Sequence, residues 1–280
     1  MIFGSHGIIQ TLIISGSLAK VLISIGDEPM SGHSHWATIR RKKGAADAKR
    51  GQIFTRLARE IVIAAREGGG DPSTNLRLQY AIERARAQNM PKDNIERAIK
   101  RGTGEGKDAS QIEEITYEGY GPNGIALMIA CVTDNRNRVV ADIRHILNRA
   151  GGSMAEAGSV AWQFTRNSYF AFPAQGHDPD AIFELAVEAG ADDVIFDDDT
   201  IEIIGPVEGF KEISDRLKAS GVKPEEAELR YMPNNEVELS NDEALQVMRV
   251  IENLEDLDDV QDVYSTLNLS DEVLAQLEEA

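Results

Sequence analysis

Between residues 166 and 235 the apolar pattern switches repeatedly between a two-residue and a helical period, in the order strand, helix, strand, strand, helix, strand. The strands are read at 169–172, 193–197, 200–204 and 227–232, and the helices at 178–189 and 206–220. That order is the split-βαβ, ferredoxin-like pattern, in which two helices cover one face of a four-stranded sheet. The flanking sequence carries an unfinished version of it. Strands at 114–121 and 125–133 enclose a Gly-Pro-Asn-Gly turn, a helix follows at 138–150, and 160–164 alternates as a strand carrying Trp162 inward. The missing helix and strand lie beyond residue 235. Ser240 with Glu243 three residues on has capping-box spacing, and 260–267 reads as a strand. The 166–235 domain is therefore expected to be inserted into a discontinuous α/β domain made of 112–165 and 236–268, with 269–280 left as a short helical tail.

The sequence before residue 108 follows a different rule. Ile53, Phe54, Leu57, Ile61, Val62 and Ala65 recur at helical spacing, and Gly68-Gly69-Gly70-Asp71-Pro72 stops the run. A second helix, capped by Ser73, Thr74 or Asn75, buries Leu78, Ala81, Ile82 and Ala85 and ends near Asn89. Pro91 opens a third at a position where its missing N–H costs nothing, and this one runs through Ile95 and Ile99 to Gly102. The short connections predict a three-helix bundle. The glycine-rich stretch 102–110 predicts a linker, which places a helical domain at 31–107. The expected architecture is thus multi-domain, α plus α+β: an N-terminal three-helix bundle followed by two ferredoxin-like α/β domains, one inserted in the other.

Charge is segregated along the same boundary. The chain carries a formal charge of −18, yet residues 31–107 hold 17 Lys and Arg against 8 Asp and Glu, while residues 108–280 hold 11 against 37. A polyanion binds clustered cations and is repelled by an acidic body, so this asymmetry points to a basic module that grips nucleic acid, carried on domains that do not. The composition is that of a folded soluble protein, and a single cysteine, Cys131, excludes a disulfide framework within the chain and fits a reducing compartment, the cytoplasm. Residues 1–29 fit neither a signal nor a transit peptide, and 7–26 is interrupted by Gln10, Thr11, Ser15, Ser17 and Lys20, which makes a poor membrane span. Met30 directly precedes a different kind of sequence; translation is expected to begin there, with 1–30 a non-native or disordered extension.

The strongest chemical constellation is His33-Ser34-His35-Trp36 followed by Arg40, Arg41, Lys42 and Lys43, then Lys49 and Arg50. Consecutive cations beside an aromatic neutralise phosphates and offer a stacking surface. Arg56, Arg59 and Arg66 continue the set as a basic stripe on the first helix, and Lys92, Arg97, Lys100 and Arg101 as another on the third. On the third helix, Asp93 with Arg97 and Glu96 with Lys100 also have the spacing of pairs that merely stabilise an exposed helix. His33 and His35 lack a nearby third metal ligand, and His145 and His177 stand without partners. The glycines at 68–70 follow a helix and lack a Gly-Lys-Ser/Thr ending, so they are a helix stop and not a nucleotide-binding loop. Asp197-Asp198-Asp199 is where a Mg²⁺-dependent nuclease could be built, but tight turns favour Asp anyway and no His or Lys base accompanies it. The expectation is a non-enzymatic monomer without metal or cofactor, whose partner is DNA or ribosomal RNA and not a membrane or small substrate.

Several segments carry a family resemblance: Gly32-His33-Ser34-His35-Trp36, Lys49-Arg50-Gly51, Phe54-Thr55-Arg56-Leu57-Ala58-Arg59-Glu60-Ile61, Ala65-Arg66-Glu67-Gly68-Gly69-Gly70-Asp71-Pro72, and the run from Asn89-Met90-Pro91-Lys92 to Gly102-Thr103-Gly104. In these the chain closely resembles the YebC family, which includes a mitochondrial translational activator of cytochrome c oxidase, and the resemblance extends from Met30 to the C-terminus. It implies an all-helical first domain, two α/β domains and no catalytic activity. It also implies one of two roles: a DNA-binding transcriptional regulator, as bacterial members are described, or a ribosome-associated factor that helps translation through difficult stretches such as consecutive prolines. No helix-turn-helix dimer is recognisable, and an arm on RNA needs only shape, stacking and phosphate contacts.

Overall fold

The computed structural model describes residues 8–14, 17–25, 47–105, 112–197 and 199–279, of which the first two stretches, 47–50, 271, 278 and 279 are described by their backbone alone. The chain divides into two compact units. One comprises Ser31–Phe164 with Pro233–Ala280, the other Met1–Met30 with Thr165–Met232.

In the first unit, helices α1 (Asp47–Gly68), α2 (Leu76–Ala87) and α3 (Lys92–Gly102) pack on one another. The side chain of Asn75 caps α2 by accepting from the Leu78 N–H at 3.1 Å, and it donates to the carbonyls of Ala64 and Gly69 at 2.7 and 2.8 Å, which fixes the turn between α1 and α2. Gly102 lets α3 approach α1: a Cβ there would stand 2.5 Å from the Val62 carbonyl oxygen. Five successive residues of α1, Ile61 to Ala65, are buried. Sequence spacing gave α1 a single buried stripe; the helix is instead enclosed on more than one side, because Ile112 and Val132 join the same core as the helices. The helices thus belong to one compact unit with the α/β elements that follow them.

Strands β3 (Glu113–Tyr120), β4 (Ala126–Thr133), β5 (Ser153–Met154) and β10 (Val260–Ser265) form an antiparallel sheet in the order β10-β4-β3-β5. Helices α4 (Arg136–Arg149) and α7 (Asn241–Glu255) cover one face. Val139, Ile143 and Leu147 of α4 and Val247, Ile251 and Leu254 of α7 meet Leu127, Ile129 and Cys131 of β4. The Ser240–Glu243 capping box is present at the start of α7, and α8 (Asp271–Glu279) adds Val273, Leu274 and Leu277 to the same core. Alternation turns Glu114, Glu118 and Val132 to the opposite face, where Val132 joins the helical core and Glu114 accepts from Arg77 of α2 at 3.1 Å.

The second unit contains β6 (Phe164–Pro173), α5 (Pro179–Glu188), β7 (Asp193–Phe196), β8 (Thr200–Pro206), α6 (Phe210–Ala219) and β9 (Glu226–Pro233), in the strand and helix order read from the sequence. Its sheet has six strands in the order β1-β2-β7-β8-β6-β9. The two additional strands, β1 (Ile8–Ile14) and β2 (Ser17–Ile25), come from the stretch expected to be an extension; they pair with each other antiparallel, and β2 runs parallel to β7. Their Ile, Leu and Val content suits a strand, a property that a search for signal peptides and membrane spans does not register.

One expectation is corrected outright. Residues 160–164 are not a strand with Trp162 inward: Ala161–Gln163 is a single 3-10 turn, and Trp162 is 71% exposed. Val160 and Phe164 on either side are buried, so the outer two of the three apolar positions face inward as expected and the middle one does not. The backbone between them curls because its N–H groups have a better acceptor than a neighbouring strand. Those of Gly158, Val160 and Ala161 donate to the Glu118 carboxylate at 2.6, 2.7 and 3.0 Å.

Candidate nucleic-acid interface

Trp36, Arg40, Arg41, Lys42 and Lys43 lie outside the described residues, as do His33 and His35, and Lys49 and Arg50 are placed by their backbone on the first turn of α1. The described remainder of the expected surface divides sharply.

The stripe on α1 faces into its own unit. Arg56 donates to the backbone carbonyls of Glu255 and Gln261, Arg59 to the carbonyl of Asp258, and Arg66 to that of Ile112. Arg59 also pairs with the Asp259 carboxylate at 3.1 Å, and Asp259 accepts from the Arg138 guanidinium at 2.9 Å through each of its oxygens. Asp259 thereby ties α1 to α4 with a side chain only 7% exposed. Carbonyls at strand and helix ends need donors, and a guanidinium satisfies several at once. The arginines read as a polyanion-facing row therefore form a seam. Nothing in the local sequence separates the two uses, since the acceptors lie 199 to 205 residues away for Arg56 and Arg59 and 46 away for Arg66.

On α3 Lys92, Arg97 and Lys100 face outward. Lys92 is exposed and pairs with Glu96 at 3.4 Å, replacing the expected Glu96–Lys100 pair. Arg97 donates to the Asp93 carbonyl at 3.2 Å and to the Asn94 side chain, so its expected pairing with the Asp93 carboxylate is not made. Lys100 is exposed and Arg101 half-buried. Arg86, exposed in the last turn of α2, adds a cation the sequence reading left out. Arg77 and Arg84 are engaged by carboxylates, Arg77 by Glu67 and Glu114, Arg84 by Glu60.

Asp198 lies outside the described residues, while the Asp197 N–H donates to the Thr200 carbonyl at 2.9 Å across the turn between β7 and β8, and the Asp199 carbonyl accepts from the Ala174 N–H at 2.9 Å. Among the described residues no cluster of three or more His, Cys, Asp and Glu could hold a metal. Burial, with the nearby Asp259 charge adding to it, pushes the Cys131 thiol up to about 12, so it packs as a small apolar group. Glu118 shows the opposite balance. Burial alone raises its pKa, but the N–H groups gathered on it outweigh that and hold it below the usual carboxylate range. No helix among the described residues is long and apolar enough to cross a membrane.

Packed N-terminal helices followed by two sheets with their covering helices define a mixed α/β protein. The chain belongs to the TACO1/YebC family: the model of that family's N-terminal domain matches residues 34–105, and the model of its second and third domains matches residues 112–267. Proteins named probable transcriptional regulatory protein are similar over most of the chain. One from Acidithiobacillus ferrooxidans is 51% identical over 249 residues, covering 89% of this chain and 99% of its own. Another, from Chlorobaculum tepidum, is 49% identical over 251 residues, covering 89% and 100%. The crystal structure of a conserved hypothetical protein from Aquifex aeolicus superposes with a TM-score of 0.76 at 40% identity, covering 85% of this chain and 98% of that one.

Proposed function

We propose that this chain is a non-enzymatic, cytoplasmic nucleic-acid-binding regulator of gene expression, acting as a monomer. The observation that carries the reading is the separation of charge: 17 cations against 8 carboxylates in residues 31–107, on a body with 11 against 37. Contact is made by Trp36, Arg40, Arg41, Lys42, Lys43, Lys49 and Arg50, assisted by Lys92, Lys100 and Arg101 of α3, without metal or cofactor. Arg56 and Arg59 are left out, because their donors are committed within the fold. The domains that serve this function are a three-helix bundle, a discontinuous α/β domain, and an inserted ferredoxin-like domain. The breaks between compact units after residues 164 and 232 favour the insertion, while the helical bundle shares a unit with the discontinuous domain.

Two targets fit. The relatives' names favour transcription, and hence DNA. The loss of the α1 stripe to the seam favours the second, ribosomal RNA, since it removes the helix best placed to lie in a major groove and leaves phosphate and stacking contacts, which suffice for RNA. Replacing Arg40, Arg41, Lys42 and Lys43 by Ala should weaken binding to both duplex DNA and RNA and flatten the salt dependence by roughly one unit per lost phosphate contact. Unchanged affinity and slope would overturn the assignment. Sedimentation of cell lysate with and without ribosome-dissociating conditions separates the targets.

A further inference from the structure

Trp162 is one of two large apolar side chains exposed among the described residues, at 71%. It is held out by a rigid support. The loop before it is clamped by the three N–H groups on Glu118, its indole N–H donates to the Ser159 carbonyl at 3.0 Å, and its own carbonyl accepts from the Asn234 side-chain amide at 3.0 Å. With its N–H spoken for, the ring has no hydrogen bond left to offer a ligand. What remains is a flat π face at a fixed position, with little freedom left to lose on binding.

The ring's place in the fold suggests an occupant. Glu118 and Tyr120 lie on the face of the β10-β4-β3-β5 sheet opposite α4 and α7, and the Tyr120 hydroxyl donates to the Ser159 carbonyl at 3.3 Å, so the Trp162 loop sits on that face. The helical module sits on the same face, at Glu114 and Val132. Six residues of strand separate Glu114 from Tyr120, about 20 Å. The groups that hold the Trp162 loop, the Ser159 carbonyl, the Glu118 carboxylate and the Asn234 side-chain amide, are polar. An apolar protein partner needs a contiguous patch, whereas a single aromatic in polar surroundings suits a planar base. Unpaired bases are what RNA presents in loops and bulges, and DNA duplexes keep theirs stacked.

We propose that Trp162 is a stacking platform for an unpaired RNA base, a second contact for nucleic acid held by the helical module. This rests on the nucleic-acid reading above. The test titrates the full chain with a single-stranded RNA, the DNA of the same sequence and a blunt RNA duplex, following affinity and tryptophan fluorescence. Trp162→Ala should weaken single-stranded RNA binding roughly 5- to 150-fold and leave duplex affinity and salt slope unchanged. Trp162→Phe should keep most of the affinity while abolishing the part of the fluorescence quench that Trp162 contributes. If wild type binds single-stranded RNA and Trp162→Ala binds it equally well, the platform is wrong and the charge-based reading stands. Equal losses on single strand and duplex overturn it as well, by showing a general effect on the fold. Equal loss on the DNA strand overturns the choice of RNA. If wild type binds none of the three probes, both readings fall.

Discussion

A single carboxylate decides whether Arg59 serves the fold or a ligand. Asp259 is buried with Arg59 at 3.1 Å and Arg138 at 2.9 Å, and a phosphate would have to displace it to reach Arg59. Burying a charge without its partner costs far more than an exposed pair gains, so Asp259→Ala should lower the unfolding free energy by roughly 2–3 kcal/mol. Arg59→Ala should also destabilise, by less, because Asp259 keeps Arg138. Neither variant should alter the salt slope of nucleic-acid binding, and urea unfolding beside a binding titration checks both. A changed slope for Arg59→Ala at intact stability would return that residue to the interface.

At the level of elements, the Glu118 clamp makes a pH-dependent claim. Its carboxyl is held below the unfolded value of 4.5 by backbone N–H groups that outweigh burial. The stabilisation is therefore fully present above about pH 4.5 and is lost as pH falls through the lower folded value. Glu118→Gln should be less stable than wild type at neutral pH by roughly 1–3 kcal/mol, and the gap should close on acidification. Thermal unfolding from pH 7 to 3 reads it, and a gap independent of pH would sink the idea. The same clamp marks the limit of what sequence reveals. The helix stop at 68–70, the Asn75 cap and the Ser240 capping box were legible because each is a local rule read within a few residues. The turn at 161–163 was not, because its cause sits about 40 positions earlier in β3. Nor was the seam, whose arginines follow the same helical spacing whether they meet phosphate or carbonyl.

Considered whole, the molecule is a chain whose first unit is made of two separated segments. Their ends meet: the Asn234 N–H donates to the Gln163 carbonyl at 2.7 Å, close to where the chain leaves for the second unit and returns from it. Deleting 165–232 and bridging 164 to 233 with a short glycine linker should leave a cooperatively folding remainder, since loop closure between adjacent ends costs little. Circular dichroism and a single unfolding transition would support this, and loss of cooperativity would show that the first unit depends on the second. The charge distribution also belongs to this scale. It was fully legible in the sequence, because it is a sum over segments and needs no partner to be named.

By filling the N–H cradle of residues 158–161, Glu118 acts as a built-in plug. A phosphate, which would otherwise find there the converging donors it favours, would meet a resident anion, so on the proposed reading a nucleic-acid strand would be offered the flat ring of Trp162 and not these three N–H groups.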